Sequence, residues 1–538
     1  MVDNGKNLDH VEDPAVEAQG ELATIANLEE HEVGKLASLR QYPLACFWCI
    51  YAVWCVLLVS FENQAAGSVI SIPEFRKDFG YLYDGEWTLP AQWQSAFSGA
   101  PVASAIFGSL ACGQVADLIG RRGVLMICFV ITFAAVTVEF IATTNAVFFA
   151  GKFINGFAVG AIATITVAYT GEITPLALRG VFTCLNALSY TLGPLTVAII
   201  VNFTGEYDSR WAYRAVVTPV FCAQYGFAVI STILVFFMPE SPWWLASKGR
   251  NDAALRSLNK LGHKGEHGAS RLALIQQTLE KAKEETAGAT YLECFRVSNL
   301  RRTIISIMPL AIQSLSGITF VASYSTYYIQ LAGFDTAESF KLQIVQQGLS
   351  LFGNICSWYL VDRIGRRNLT FYGLLVLTGI LFSMAACAVV GGDGPIKGTV
   401  AMIMLYCWWY NVTIGATAYT ILAEVSTSRL RGKTVAIGFA LQNVLNMIWS
   451  FVLPYLFNPD YANLGAKVAF IFGGLAVFCL VYLFIYQPET AGRSYQELDE
   501  MFSKKIPARH FKDFKTESQE TNAQLTGDAA KQAMQADL

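Results

Sequence analysis

Stretches of about twenty residues with scarcely a charge recur along the whole of this chain. A hydrocarbon layer about 30 Å thick takes roughly 20 residues of helix to cross. Runs of that kind fall near 44–66, 93–115, 123–143, 146–168, 181–203 and 216–238, and again near 303–329, 341–361, 369–391, 398–423, 433–456 and 464–487. In lipid a backbone must satisfy its own hydrogen bonds, so the twelve runs predict twelve membrane-spanning helices and an all-α fold. Composition agrees: 54% of the 538 residues are hydrophobic and 15% charged, against about 25% charged in soluble domains. A net charge of −3 gives no reason to expect a nucleic acid as partner. Residues 1–40 lack the charged-then-apolar pattern of a cleaved leader, so the first run is expected to stay as span one.

The runs divide the chain into a tail (1–43), a first six-helix half (44–238), a linker (239–302), a second half (303–487) and a closing tail (488–538). The linker carries Lys248, Arg250, Arg256, Lys260, Arg271, Lys281, Lys283 and Arg296 among Ala, Leu and Glu, the composition of amphipathic helices on a watery surface. Residues 1–35 and 507–538 are polar, with few aromatics, and read as disordered. Lys and Arg crowd the linker and the loops on its side, so the positive-inside rule places both termini in the cytoplasm, with the plasma membrane the expected location. The sequon Asn202-Phe203-Thr204 then falls at the outer end of span five.

Two charged motifs occur twice. Gly113-Gln-Val-Ala-Asp117-Leu-Ile-Gly120-Arg121-Arg122 follows span two, and Asp362-Arg-Ile-Gly365-Arg366-Arg367 follows span eight. Glu172 precedes Arg179 after span four as Glu424 precedes Arg431 after span ten. Matching positions in both halves predict parallel six-helix repeats that rock against each other. Carboxylates and guanidiniums at these helix ends are expected to pair across neighbouring helices and to act as a gate. The plainer alternative is that the arginines only anchor the topology.

These motifs resemble those of the major facilitator superfamily, and within it the sugar porter family. Pro239-Glu240-Ser241-Pro242-Trp243-Trp244-Leu245 is similar to that family's motif after span six, and Pro488-Glu489-Thr490-Ala491-Gly492-Arg493-Ser494 to its motif after span twelve, which adds Glu240 and Glu489 to the gate residues. The resemblance covers roughly 44–503. It is nearest to the fungal α-glucoside (maltose) permeases through Tyr324-Ser-Thr-Tyr327, Gly415-Ala-Thr-Ala-Tyr419-Thr-Ile-Leu-Ala-Glu424 and the stretch from Asn458-Pro459 to Lys467. It implies a secondary transporter that moves a hexose, an α-glucoside or another saccharide by alternating access with a proton. A monomer in the bilayer with no further cofactor is implied too.

Glu62 stands inside span one, where a carboxylate costs several kcal/mol unless it is paired or faces water. Lys152 is the cation well inside span four, and the two make an economical pair for proton coupling. The resemblance sets Ser60-Phe61-Glu62 where proton-coupled sugar porters carry G-Y-D, and Lys152 where they carry an arginine. A fixed structural ion pair is the alternative. Glu139, near the outer end of span three, is expected to be solvated. Sugars need amides, hydroxyls and aromatic faces, which Gln313, Thr319 and Tyr324 of span seven, Asn411 and Tyr419 of span ten, Gln442 and Asn443 (with Asn446) of span eleven and Asn186 of span five supply. Where hexose porters keep a second glutamine in span seven, a glutamine after Asn186 and a tryptophan at Tyr419, this chain has Ser314, Ala187 and Tyr419, which points to an altered sugar site.

A uniporter of the same fold, a carrier of a polyol or sugar acid and a non-transporting sensor are the competing readings. An embedded enzyme is disfavoured because no nucleophile motif or metal-ligand spacing stands among only 5 His. A primary pump is disfavoured by the lack of a phosphate-binding loop.

Overall fold

The computed structural model describes residues 34–70, 73–83, 86–204, 219–285, 290–322, 329, 336–390, 392–427, 429–457, 462 and 464–516. The membrane helices are α1 (Pro43–Ile70), α2 (Ala91–Ile119), α3 (Arg121–Ile141), α4 (Asn145–Ile173), α5 (Arg179–Thr204), α6 (Pro219–Val235), α7 (Val297–Leu315), α8 (Thr336–Ile364), α9 (Arg366–Val390), α10 (Asp393–Val412, continuing as Ile414–Val425), α11 (Arg431–Phe457) and α12 (Ala469–Tyr486). Eight described helices are individually long and apolar enough to cross a membrane. The bundle exterior is apolar, with Phe478 at 76% and Val130 at 68% exposure, while buried amides and charges lie inside, the inverse of a soluble protein.

Among the described residues, two interruptions fall in the second half. Span ten breaks at Thr413, whose ψ of −101° leaves the helical region, and α7 ends at Leu315 before Gly317 at φ +93°. Helix breaks inside a membrane protein are tolerated where neighbouring side chains take up the freed backbone groups.

The described terminal segments, from Gly34 and up to Thr516, gather with the linker on one face, here the linker face. The linker helices include Pro242–Ser247, Asn251–Leu261, Glu266–Glu285 and the short Tyr291–Cys294. The sequence-level expectation of disorder from 507 onward is corrected as far as Thr516. Phe511 is fully buried and packs on Phe502 with Leu498 and Met501, all in or beside the helix Tyr495–Ser503, and the Arg493 guanidinium donates to the Phe511 carbonyl at 2.9 Å. A few aromatic anchors thus hold a segment whose average composition is polar. Residues 1–33 and 517–538 lie outside the described residues. One small antiparallel hairpin, Tyr81–Tyr83 with Glu86–Thr88, interrupts the all-α plan between α1 and α2.

The duplicated motifs form duplicate structures. Gly120 and Gly365 have φ of +88° and +93° and turn α2 into α3 and α8 into α9. Beyond each turn, backbone N–H groups of the next helix donate to one carboxylate. Arg121 and Arg122 donate to Glu240 at 2.8 and 3.2 Å, and Arg366 and Arg367 donate to Glu489 at 2.9 and 3.1 Å. An anion on unsatisfied N–H groups at the positive end of a helix is a favourable cap. The second arginine of each pair closes the far side: Arg122 donates to the Phe236 carbonyl at 2.6 Å and Arg367 to that of Phe484 at 3.0 Å. Burial pushes the Glu240 carboxyl above its ordinary range, and its backbone donors and Arg121 pull it back.

A Cβ on Gly120 would lie 2.5 Å from the Glu240 carboxylate, and one on Gly365 2.3 Å from that of Glu489. Gly120→Ala and Gly365→Ala are each expected to cost about 1–3 kcal/mol, read as a lower melting temperature of the purified protein in detergent. Unchanged melting in both would refute the requirement for these turns.

Candidate functional site

Within the first half, α1, α3 and α4 bring three charges together. Lys152 Nζ lies 2.5 Å from Glu62 Oε1 and 2.9 Å from Glu139 Oε2, and all three side chains are at most 4% exposed. Asn155, one helical turn beyond Lys152, donates to Glu139 at 3.4 Å. Gly151 lets the helices close on this cluster, since a Cβ there would sit 2.6 Å from Glu139 Cγ. The expected solvation of Glu139 is therefore corrected. Its place near a helix end suggested water, but packing of α3 against α4 puts it next to Lys152. The signal available in the sequence was Glu139 itself, a second acid within an apolar run.

Two carboxylates and one ammonium form a cluster whose charges do not cancel when all are ionised. Buried ions are tolerated when paired, and removal of one partner of a buried pair costs about 3–5 kcal/mol. Here Lys152 keeps a carboxylate partner whichever acid takes up a proton. Binding and release of one proton thus become accessible without stranding the ammonium.

The polar seam lies in the second half and at the seam between halves. Gln313, buried on α7, donates to the Ile414 and Gly415 carbonyls at 3.0 and 3.1 Å, just beyond the break in α10. Gln442 of α11 donates to Gln313 Oε1 at 2.8 Å. Asn446, one turn further along α11, accepts from Ser314 at 2.7 Å and from Thr319 at 3.4 Å. Asn411 of α10 accepts from Asn354 of α8 at 3.1 Å, and Asn354 also donates to Thr191 of α5 at 2.6 Å. Tyr419 stacks on Tyr190 of α5, rings 5.7 Å apart and 9° from parallel. Asn186 is fully buried on α5 and donates to the Thr183 carbonyl at 3.1 Å, with no partner at Oδ1. Asn443 is half-buried on α11, and Tyr324 lies outside the described residues. Sequence reasoning missed Asn354, Thr191 and Tyr190. An asparagine within an apolar run was the available signal for Asn354. The other two are ordinary residues until the halves meet.

At the linker face, Arg121 forms a forked pair with Glu172 (3.1 and 2.8 Å) and Arg366 one with Glu424 (3.3 and 2.9 Å). Each fork lies within one half. The motif repeats Glu172 with Arg179 and Glu424 with Arg431 along the chain, and the partner of each carboxylate is the arginine that opens α3 or α9, on a neighbouring helix. Arg366 also meets Asp362 at 2.8 Å, and Asp362 meets Lys35 of the N-terminal segment at 2.7 Å. What crosses between halves is different: Asp117 of α2 binds Lys433 of α11, and Thr183 of α5 donates to Thr420 of α10 at 2.9 Å. The Tyr495 ring lies 3.8 Å from the guanidiniums of both Arg179 and Arg431. Two guanidiniums at that distance must occupy opposite faces, so the ring is sandwiched. Its hydroxyl donates to the Gly171 carbonyl of α4 at 2.7 Å. Lys433 and Tyr495, like Glu139, gain their importance only from tertiary placement.

The comparisons with known proteins converge on this architecture. A "Sugar (and other) transporter" family model matches residues 48–502. The α-glucosides permease MPH3 of Saccharomyces cerevisiae is 31% identical over 503 residues, covering 91% of this chain and 83% of that protein. The maltose permease MAL31 of the same yeast is 29% identical over 525 residues, covering 96% and 84%. Among solved structures, the proton:xylose symporter XylE bound to 6-bromo-6-deoxy-D-glucose superposes with a TM-score of 0.74 at 20% identity, over 86% of this chain and 100% of that one. With the duplicated caps, the two six-helix halves and the seam between them, these matches show that the chain is an integral membrane protein of the major facilitator fold, belonging to the sugar transporter family.

Proposed function

We propose that this protein is a sugar:proton symporter that takes up an α-glucoside or a related saccharide by rocking its two halves. The observation that carries the coupled reading is the buried Glu62–Lys152–Glu139 cluster, since a uniporter has no need of an ammonium shared by two intramembrane acids. The names of the related permeases support the sugar class. So does the seam, whose amides satisfy one another through groups that sugar hydroxyls can replace one for one. Tyr190 and Tyr419 offer aromatic faces for a pyranose ring, one from each half. The protein acts as a monomer in the plasma membrane, with the linker face and its basic residues in the cytoplasm and no cofactor beyond the transported proton.

In the cycle we infer, sugar entering the seam separates Gln313 from Gln442 and draws α7 and α11 onto the ligand. A proton reaching the cluster neutralises one carboxyl and leaves Lys152 with the other. Loss of the net charge removes the cost of closing water away from the cluster. Opening of the linker face then requires Lys433 to leave Asp117 and Tyr495 to leave at least one arginine. The caps at Glu240 and Glu489 and the forks at Glu172 and Glu424 can travel as rigid parts of their own halves.

Glu62→Gln is expected to abolish uphill accumulation of labelled sugar in proteoliposomes while counterflow exchange continues; intact accumulation would remove the proton role. Glu139→Gln leaves one acid and one base, and is expected to remove the dependence of uptake on external pH between about 5 and 8. A wild-type pH profile in that variant would reduce Glu139 to a structural partner. For the seam, Gln313→Ala and Gln442→Ala are each expected to raise KM about tenfold, the effect of losing about 1.4 kcal/mol of polar contact, in uptake of a maltose, isomaltose and glucose panel by transporter-null yeast. Unchanged KM for every sugar would move the binding site elsewhere.

A further inference from the structure

The two charged turns match except in the source of one cation. Asp117 and Asp362 hold equivalent places, each four residues ahead of the arginine that forks onto a glutamate. In each copy that arginine faces two carboxylates. Arg121 has Glu172 at 2.8 Å and Asp117 at 3.9 Å, and Arg366 has Glu424 at 2.9 Å and Asp362 at 2.8 Å. A lysine from elsewhere brings the second positive charge. For Asp117 it is Lys433 of α11, two residues past Arg431. The matching place on α5, two residues past Arg179, holds the uncharged Val181. Asp362 is paired all the same, with Lys35 Nζ 2.7 Å from its Oδ2. Lys35 lies in no span and opens a short helix, Lys35–Gln41, ahead of α1.

That short helix is fastened to the first half. Tyr42 joins it directly to Pro43 of α1, and the Tyr42 N–H donates to the Ser38 carbonyl at 2.9 Å. The helix packs on the turn Leu176–Leu178 that leads into α5 and buries Ser38. Tyr42 stacks on His263 of the linker, rings 4.3 Å apart. Asp362 for its part lies against the start of α5, where a Cβ on Gly180 would sit 2.3 Å from its Oδ1. Lys35 therefore travels with the first half and Asp362 with the second, so separation of the halves at this face parts them. A pair of this exposure, 49% for the Lys35 side chain and 14% for that of Asp362, shifts an equilibrium by up to about fivefold. That is enough to set how often the face opens without holding it shut.

We propose that Lys35 is a gate residue: the segment ahead of span one supplies the cation that α5 lacks, and its bridge to Asp362 favours the closed linker face. The closed face then has two lysine–aspartate bridges in equivalent places, one buried at Lys433 and one half-exposed at Lys35. The N-terminal segment becomes a working part of the gate, and loss of the Lys35 charge opens the face more often. That this opening is a step of transport rests on the symporter reading above; the bridge and its effect on opening do not.

The test uses the purified full-length protein in detergent, treated with N-ethylmaleimide, with labelling of individual cysteines followed by mass spectrometry. Cys184 reports opening, since it is fully buried on α5 with its sulfur 3.4 Å from the Thr420 hydroxyl of α10, across the seam between halves. Cys55, fully buried on α1 in the core of the first half, reports general loosening. Lys35→Gln is expected to speed labelling of Cys184 about two- to fivefold and to leave Cys55 unchanged, with Lys35→Arg close to the wild type. In an Asp362→Asn background Lys35→Gln is expected to add nothing, the mark of two residues that act through each other. No acceleration at Cys184 in Lys35→Gln, equal acceleration at Cys55, or an undiminished effect in the Asp362→Asn background would overturn the role of Lys35. Labelling reads the gate whether or not sugar moves. Absence of sugar uptake by the wild-type protein would therefore count against the transport reading and not against the bridge.

Discussion

An ammonium group in the middle of a lipid-embedded bundle survives only if charge of the opposite sign is built around it, and Lys152 sets that requirement for the first half. Its contacts with Glu62 and Glu139 fix how α1, α3 and α4 approach one another. Asn155 and the bare Cα of Gly151 make room for the arrangement. With two acids against one base, the cluster couples protonation to charge balance and not to the breaking of a lone pair. This is the physical difference between a fixed strut and a site that can turn over a proton.

The linker face follows a related logic with a division of labour. Bidentate forks and helix-capping carboxylates recur almost atom for atom in the two halves, and they stiffen each half internally. Among the described residues of this face, the contacts that cross between halves are of other kinds: a lysine–aspartate pair, a threonine pair and an aromatic ring between two guanidiniums. Rocking needs such an asymmetry. Strong pairs must travel intact while the contacts that hold the closed state part at modest cost.

Among the described residues the break in span ten lies in the second half, and the polar seam runs beside it. Gln313 donates to two carbonyls just beyond the break at Thr413, and Gln442 donates to the amide oxygen of Gln313. Gln313 is satisfied at both ends, yet by partners that a polyhydroxylated ligand can replace. The same chain of hydrogen bonds therefore stabilises the empty protein and presents a sugar-like set of donors and acceptors.

Much of this was legible in the residues alone. Apolar runs of membrane-spanning length determined the helices, because lipid leaves a backbone no other way to satisfy itself. The duplicated glycine–arginine motifs determined two equivalent halves, because a positive-φ turn followed by a capped helix is a local structure. Glu62 and Lys152 announced themselves because charge inside an apolar run has no bland explanation. Tertiary structure alone decided who pairs with whom. Glu172 goes to Arg121 and not to Arg179, Glu139 turns inward to Lys152, and Arg179 and Arg431 meet across Tyr495 from a helix more than sixty residues beyond either of them. Local spacing records what a residue can reach along its own helix. The choice among partners on other helices depends on how those helices pack, and no short stretch of sequence carries that information.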